Sequence, residues 1–151
     1  MASPRDFVEL LVVFGELGVR YLVVGGYAVG FHGVPRFTKD LDLLIAADGP
    51  NVQRCAEALQ RFGAPGEVVA AMRGSTQDDV VWLGKPPLRI DILQTIPGVE
   101  FESAWTNRTE FQWLGVTATV IGATELVASK LAAGRPQDKL DAKALARLLR
   151  R

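Results

Sequence analysis

The stretch Gly25–Ile45, GGYAVGFHGVPRFTKDLDLLI, joins two glycines, a short helical segment and an Asp-x-Asp sequence in one continuous run. The β-branched run Tyr21–Val24 precedes it and predicts a buried strand. Gly25 and Gly26 follow at once, and they let the backbone turn sharply and approach a ligand closely because neither has a Cβ. The segment Tyr27–Phe31 then predicts a short helix. Free backbone N–H groups point outward at such a strand–turn–helix junction, so the sequence predicts an anion-binding turn.

Two aspartates of the same stretch are spaced to project from one face of a strand. Asp40 and Asp42 lead into the apolar segment Leu43–Ile45, and side chains at i and i+2 of a strand share a face. Two adjacent carboxylates repel each other unless a cation lies between them. Mg²⁺ binds oxygen ligands of this kind, commonly one or two carboxylates together with substrate phosphates. The sequence therefore predicts part of a divalent-metal site beside the anion-binding turn.

The order of these features resembles the nucleotidyltransferases of the DNA polymerase β-like superfamily. Their signature is a Gly-Gly or Gly-Ser turn, a short helix and an Asp-x-Asp strand, with a third acidic residue on a later strand. The likeness is closer to the small bacterial members, which include the aminoglycoside and lincosamide nucleotidyltransferases and the toxin-like proteins of the AbiEii type. The residues that match the signature are Gly25, Gly26, Tyr27, Ala28, Arg36, Thr38, Asp40 and Asp42.

A third aspartate lies within a later apolar strand. The alternating segment Leu88–Leu93 predicts a strand, and Asp91 lies in it between Ile90 and Ile92. A carboxylate in such a strand needs a partner, because burying a bare charge is costly. One interpretation pairs Asp91 with Arg89 on an exposed edge strand. The resemblance implies the other interpretation, in which Asp91 is the third metal ligand, and we favour it because the order of the strands fits.

The resemblance implies a metal-dependent enzyme that transfers a nucleoside monophosphate from a nucleoside triphosphate to an acceptor hydroxyl. The acceptor would be tRNA, a protein or a small molecule. Mg²⁺ or Mn²⁺ would bind at Asp40, Asp42 and Asp91, which would be both the metal ligands and the catalytic residues. The residues expected to bind the nucleotide are Gly25, Gly26, Tyr27, Arg36, Thr38 and Lys130. Lys39 is a further candidate phosphate-binding cation, with a solvated side chain as the alternative.

The C-terminal part predicts a pair of helices. One opens at Gly122, and the last spans about Pro136–Leu149. Lys130 borders the apolar face of the first of these helices, where a lysine often extends along the surface to solvent. The likeness to the AbiEii-type proteins implies instead that Lys130 contacts phosphate or the acceptor. It also implies that Asp138 and Asp141 support the helix pair.

The remaining segments complete an α/β (α+β) pattern with a mixed sheet of about four to six strands. Helices are predicted from the cap Ser3 to Leu17, over Asn51–Phe62 and over Phe101–Asn107, and strands over Glu67–Ala71, Val80–Leu83 and Val116–Ile121. The last helix is expected to bury Leu140, Ala144, Leu145 and Leu148. We predict a single domain over residues 1–151, with a catalytic core up to about residue 121 and C-terminal helices from about residue 122.

Composition narrows the classes of function. The 151 residues contain 17 basic and 17 acidic side chains, so net charge does not indicate a nucleic-acid-binding protein. Cys55, the sole cysteine, is predicted to be a small buried hydrophobe, and the sole histidine, His32, gives little support to a Ser-His-Asp or Cys-His mechanism. Trp105 and Trp113 are predicted to be packing residues, although an aromatic ring near the site is able to stack on a base.

The absence of a long apolar run leads us to expect a cytoplasmic protein with no membrane partner. An alternative function is a non-catalytic nucleotide-binding module or one half of a toxin–antitoxin pair. A cognate antitoxin is therefore a candidate partner, beside the nucleoside triphosphate.

Overall fold

The computed structural model describes residues 4–85 and 88–150 of the chain. Within these ranges seven helices flank a six-stranded sheet. The helices are α1 (Pro4–Glu16), α2 (Gly25–Phe31), α3 (Gly49–Phe62), α4 (Gly66–Arg73), α5 (Phe101–Thr106), α6 (Ala123–Ala133) and α7 (Pro136–Leu149). The strands are β1 (Tyr21–Val24), β2 (Asp40–Ile45), β3 (Val80–Lys85), β4 (Leu88–Leu93), β5 (Thr109–Trp113) and β6 (Val116–Val120). The predicted α/β fold with a mixed sheet is confirmed.

The strands lie in the order β3-β4-β2-β1-β6-β5. β1 runs antiparallel to β2 and parallel to β6, while β2 and β4 run parallel to each other. The two edges are therefore β3 and β5, and β4 is an interior strand. The idea of Asp91 on an exposed edge strand is wrong, because β4 is hydrogen-bonded on both sides.

The register of the sheet sorts its side chains into apolar and polar rows. Residues that lie directly opposite each other on neighbouring strands project from the same face. One such row is wholly buried and consists of Val23, Leu43, Ile92 and Val81. The next row projects from the opposite face and consists of Val24, Asp42, Asp91 and Trp82. The sheet thus places its polar residues on one face, away from this apolar row.

One predicted strand is a helix in the structure. The segment Glu67–Ala71 lies within α4, which begins after Pro65 and ends before Gly74. Its valines favour a strand by composition, but Val69 and Met72 are three residues apart and both are buried, as on one face of a helix. Packing of this face therefore overrides the β preference of a short apolar run.

The strand β5 was not predicted. It forms a hairpin with β6, in which Trp113 pairs with Val116 across the two residues Leu114 and Gly115. Both turn residues have positive φ, 51° and 82° respectively, as the tightest hairpin turns require. A leucine rarely adopts this conformation, so the turn carries no sequence signal beyond its glycine.

The sole cysteine and the sole histidine both have structural surroundings. Cys55 is fully buried, and burial raises the pKa of its thiol to about 12, which confirms an inert apolar role. His32 places Nε2 at 2.7 Å from the Ile121 carbonyl oxygen, a structural contact.

Leu140 is 62% exposed, so its predicted burial is wrong. The predicted cap Ser3 lies outside the described residues. No helix in the described ranges has the length and apolar character needed to cross a bilayer.

Candidate active site

The three predicted acidic residues share one face of two adjacent strands. Asp42 on β2 lies opposite Asp91 on β4, and Asp40 lies opposite Arg89. Neighbouring strands are about 4.8 Å apart, so the two opposed carboxyl groups are close neighbours. The structure therefore brings Asp40, Asp42 and Asp91 together, with one guanidinium beside them.

Asp42 has the most strongly perturbed environment of the three. Its burial raises the pKa of the carboxyl group to about 7, and the negative charges of Asp91 and Asp40 contribute further. Lys130 acts in the opposite direction, but with a smaller effect. Crowding of like charges in a partly desolvated place disfavours ionisation unless a cation is added. A cation bound here would therefore reduce the repulsion among these carboxyl groups.

Asp91 also has a protein partner. Arg89 Nη2 donates a hydrogen bond of 3.1 Å to Asp91 Oδ2, and Nε lies 2.8 Å from Oδ1. The ion pair that was considered as the alternative to a metal role is therefore present. It does not separate Asp91 from the acidic cluster, because Asp91 still faces Asp42 across the strand pair. Asp91 is therefore both the ion-pair partner of Arg89 and a member of the acidic cluster.

Neighbouring side chains leave no room for a Cβ at either of the two glycines. Gly25 has φ +68°, and a Cβ there would lie 2.3 Å from Asp42 Oδ2. A Cβ on Gly26 would lie 2.8 Å from Thr38 Oγ1. The sequence predicts that the short helix starts after the glycine pair, at Tyr27. In the structure, helix α2 begins at Gly25 itself. The missing side chains thus allow the first turn of α2 to approach the acidic strand.

The acidic residues line a cavity of about 340 Å³. The strands and α2 contribute Val24, Gly25, Asp40, Asp42, Asp91 and Leu93, and the segments further along the chain contribute Ile96, Pro97, Leu126, Ser129, Lys130, Ala133, Arg135 and Asp138. Four other predicted nucleotide-binding residues line a neighbouring cavity of about 370 Å³ instead, namely Gly26, Tyr27, Arg36 and Thr38. The structure therefore divides the predicted nucleotide-binding set between two adjoining cavities.

Lys130 is buried and does not extend to solvent, so the surface alternative is wrong. Only 8% of the residue is exposed, and its Nζ lies 3.1 Å from Asp141 Oδ2 and 3.4 Å from Asp138 Oδ1. Asp141 also accepts a hydrogen bond from Arg36 Nη1, and Asp138 one from Arg135 Nε at 2.7 Å. Two aspartates of α7 thus hold Lys130 of α6 at the cavity wall.

The same contacts keep both α7 aspartates ionised. The hydrogen bond from Arg135 and the charge of Lys130 lower the pKa of Asp138 against the effect of burial. Burial would raise the pKa of Asp141, but hydrogen bonds from Gln137, Arg36 and Lys130 outweigh it and lower the value. These two carboxylates are therefore fully occupied by protein cations, unlike those on β2.

The remaining predicted residues lie apart from the acidic cavity. Lys39 is exposed. Trp105 stacks on Phe101 with ring centroids 5.8 Å apart, and Trp113 packs against Tyr27 at 5.1 Å. Trp105 has the predicted packing role, whereas Trp113 packs and also lines the adjoining cavity beside Tyr27 and Arg36.

Sequence reasoning overlooked Trp82. This residue lies opposite Asp91 on the edge strand β3, and it is 53% exposed. The guanidinium carbon of Arg89 lies 5.5 Å from the centroid of its ring. The sequence signal was the alternation of Val81 and Leu83, both buried, around an outward-facing Trp82.

The acidic residues fit a divalent ion by their chemistry. Among residues 4–85 and 88–150, no group of three or more His, Cys, Asp or Glu side chains is arranged to hold a metal ion, and this includes the three aspartates. Mg²⁺ does not require one, since it commonly keeps water and binds substrate phosphates beside one or two carboxylates. The negative charges of Asp91 and Asp40 contribute to the raised pKa of Asp42, and a cation would offset this repulsion. Asp40, Asp42 and Asp91 are the residues that would hold such an ion.

Comparison with known proteins relates the chain to solved structures. No protein-family model matches the sequence. No curated protein sequence matches it either. The structure is similar to that of the lincosamide antibiotic adenylyltransferase LnuA, lincomycin-bound, with a TM-score of 0.62, 16% identity and coverage of 97% of this chain and 98% of the other.

A second similar structure is an antigenic nucleotidyltransferase-like protein from Paracoccidioides brasiliensis. Its TM-score is 0.59 at 14% identity, with coverage of 95% of this chain and 74% of the other. At such identities the likeness concerns the fold. The chain therefore has a nucleotidyltransferase-like fold, as the resemblance in its sequence implied.

Proposed function

We propose that the protein is a metal-dependent nucleotidyltransferase that transfers a nucleoside monophosphate from a nucleoside triphosphate to an acceptor hydroxyl. The observation that supports this most is the pairing of Asp42 with Asp91, with Asp40 on the same face of the sheet. These carboxyl groups line one cavity together with Gly25 and the buried cation Lys130. The acceptor belongs to the classes of tRNA, proteins or small molecules.

In this proposal Asp40, Asp42 and Asp91 hold Mg²⁺ or Mn²⁺. When bound, the metal neutralises phosphate charge and lowers the pKa of the acceptor hydroxyl. The carboxyl groups reach the site from rigid strands in the middle of the sheet, so their positions are set before any ligand arrives.

The reaction requires the acceptor oxygen to form a bond with the α-phosphorus while the bond from that phosphorus to pyrophosphate breaks. The acceptor hydroxyl loses a proton in this step, and in this proposal Asp91 receives it on a carboxylate oxygen. Arg89 orients the Asp91 carboxylate through two contacts, at 2.8 and 3.1 Å. Holding both reactants in line is the main contribution that a protein makes to such a transfer.

The triphosphate is expected on the side of the cavity that Gly25 and Lys130 line. A Cβ on Gly25 would collide with Asp42 Oδ2, so this glycine lets the start of α2 lie against the acidic strand at the cavity. Lys130 and Arg135, which also line this cavity, supply positive charge. Gly26, Tyr27, Arg36 and Thr38 stay predicted nucleotide contacts, and they line the adjoining cavity.

The test is transfer of label from nucleoside triphosphates labelled at the α-phosphate. Each of the four triphosphates is incubated with Mg²⁺ and with tRNA, a protein extract or small hydroxyl compounds. Wild type should label an acceptor, and the Asp40→Asn, Asp42→Asn double variant should not. Asp78→Asn, a change at an exposed aspartate, is the matched control. Equal labelling by the double variant would contradict the proposal.

A further inference from the structure

A half-exposed tryptophan shares the sheet face with the acidic residues. Trp82, Asp91 and Asp42 lie opposite one another on β3, β4 and β2, so their side chains form one row. Trp82 is the outermost member, on an edge strand, and 53% of it is exposed. An indole ring left this open, on the strand next to Asp91 of the acidic cavity, presents a flat apolar surface to a ligand.

Arg89 links this ring to the acidic residues. Its guanidinium carbon lies 5.5 Å from the Trp82 ring centroid, within the range of a cation–π contact. Its Nε and Nη2 face the two oxygens of Asp91. Only Nη2 forms a hydrogen bond with Asp91, because in the described part of the chain Nε and Asp91 Oδ1 have no hydrogen-bond partner. The Arg89 side chain is 39% exposed, so its guanidinium is also open to a ligand.

The position of Trp82 relative to the expected triphosphate side of the cavity indicates which reactant it would contact. Gly25 and Lys130 line the cavity that also contains Asp42 and Asp91, whereas β3 lies on the far side of β4. An in-line displacement places the acceptor and the leaving pyrophosphate on opposite sides of the reacting phosphorus. If pyrophosphate leaves towards Gly25 and Lys130, the acceptor approaches from the side of Trp82.

We propose that Trp82 and Arg89 form the acceptor subsite, and that this subsite takes a nucleotide unit. The base stacks on the exposed face of Trp82, a phosphate or base oxygen accepts a hydrogen bond from the Arg89 guanidinium, and the ribose hydroxyl gives its proton to Asp91. An aromatic platform with an adjacent arginine is the combination that binds single-stranded nucleotides. The inference rests on the proposed function, and it identifies the class of acceptor.

The test measures binding of two probes, a short single-stranded RNA with a free 3′-hydroxyl and AMP, to wild type and variants. Trp82→Ala should weaken RNA binding by about 10-fold, because stacking on one base accounts for a change of that order. Trp82→Phe should retain most of the affinity. Leu140→Ala, which removes an apolar side chain of comparable exposure from α7, is the matched control and should bind as wild type does. Circular dichroism checks that each variant is folded.

The outcomes separate the subsite from the proposed function. Binding of Mg²⁺ and a triphosphate is measured in parallel, and its failure in wild type would contradict the proposed function alone. Tighter binding of RNA than of AMP would identify a strand end as the acceptor, and equal binding would identify a free nucleotide. Unchanged RNA binding in Trp82→Ala would overturn the subsite. Preferential binding of a tyrosine-containing peptide over both probes would overturn it as well.

Discussion

Asp42 lies directly opposite Asp91 on the neighbouring parallel strand, in a register that also places Asp40 opposite Arg89. Three carboxyl groups and one guanidinium therefore share a small area of the sheet. In the metal-free protein the burial of Asp42 opposes its ionisation, and the negative charges of Asp91 and Asp40 add to this effect.

The first prediction concerns the pH dependence of stability without metal. The pKa of Asp42 is raised from 3.8 to about 7 on folding. Between these values the folded protein binds the proton more tightly than the unfolded chain, so ionisation of Asp42 lowers stability as pH rises. Relative to Asp42→Asn, wild type should lose free energy of unfolding from about pH 4 to pH 7. Urea unfolding in a chelator measures this, and parallel profiles for the two proteins would contradict it.

The second prediction concerns Asp91→Asn. The substitution removes a charge that repels Asp42, and the neutral amide still accepts a hydrogen bond from Arg89 Nη2. The metal-free variant should therefore be at least as stable as wild type. It should gain less stability from Mg²⁺, and it should lose transfer activity. Thermal melts with and without Mg²⁺ decide the matter, because a destabilised variant with a normal Mg²⁺ response would make Asp91 a structural partner of Arg89.

The third prediction uses two glycines with nearly the same backbone angle. Gly25 and Gly18 have φ of +68° and +69°, but a Cβ on Gly18 would meet nothing within 4 Å. Gly18→Ala should cost only the backbone strain, about 1–2 kcal/mol. Gly25→Ala should cost about 1–3 kcal/mol more, because its Cβ would collide with Asp42. It should also reduce the Mg²⁺ response. Equal losses of stability in the two variants would show that the contact with Asp42 is unimportant.

The fourth prediction concerns the buried cation. Lys130→Met leaves the buried carboxylates of Asp138 and Asp141 with one cation fewer. The free energy of unfolding should fall by about 3 kcal/mol, as is typical when one partner is removed from a buried ion pair. Lys143→Met, at an exposed position of α7, is the control and should change stability by less than about 0.5 kcal/mol. Denaturant unfolding of both variants gives the comparison. Similar stabilities would mean that Lys130 is not needed by the two aspartates.

Local features of the sequence were sufficient to predict much of the fold. Strand β4 and helix α7 have the predicted boundaries, Leu88–Leu93 and Pro136–Leu149, because strict alternation and a proline at the first helical position are local signals. The strand predicted at Glu67–Ala71 is helical, since four apolar residues in a row suit either structure until packing selects one.

The candidate site could be predicted only in part, because its contacts join distant segments. Asp40 and Asp42 are close in sequence, and their common face followed from strand geometry. The ion pair between Arg36 and Asp141 joins residues 105 positions apart, and nothing local indicates it. The position of Trp82 beside Asp91 depends on strand register, which pairing across the sheet determines.

The most direct test of the central claim is calorimetry of triphosphate binding with and without Mg²⁺. Wild type should bind at least one of ATP, CTP, GTP and UTP when Mg²⁺ is present, and much more weakly in a chelator. The Asp40→Asn, Asp42→Asn double variant should lose the Mg²⁺-dependent part, while Asp78→Asn should keep it. Equal binding by wild type and the double variant, or binding that is indifferent to Mg²⁺, would contradict a metal-dependent nucleotide site at these aspartates.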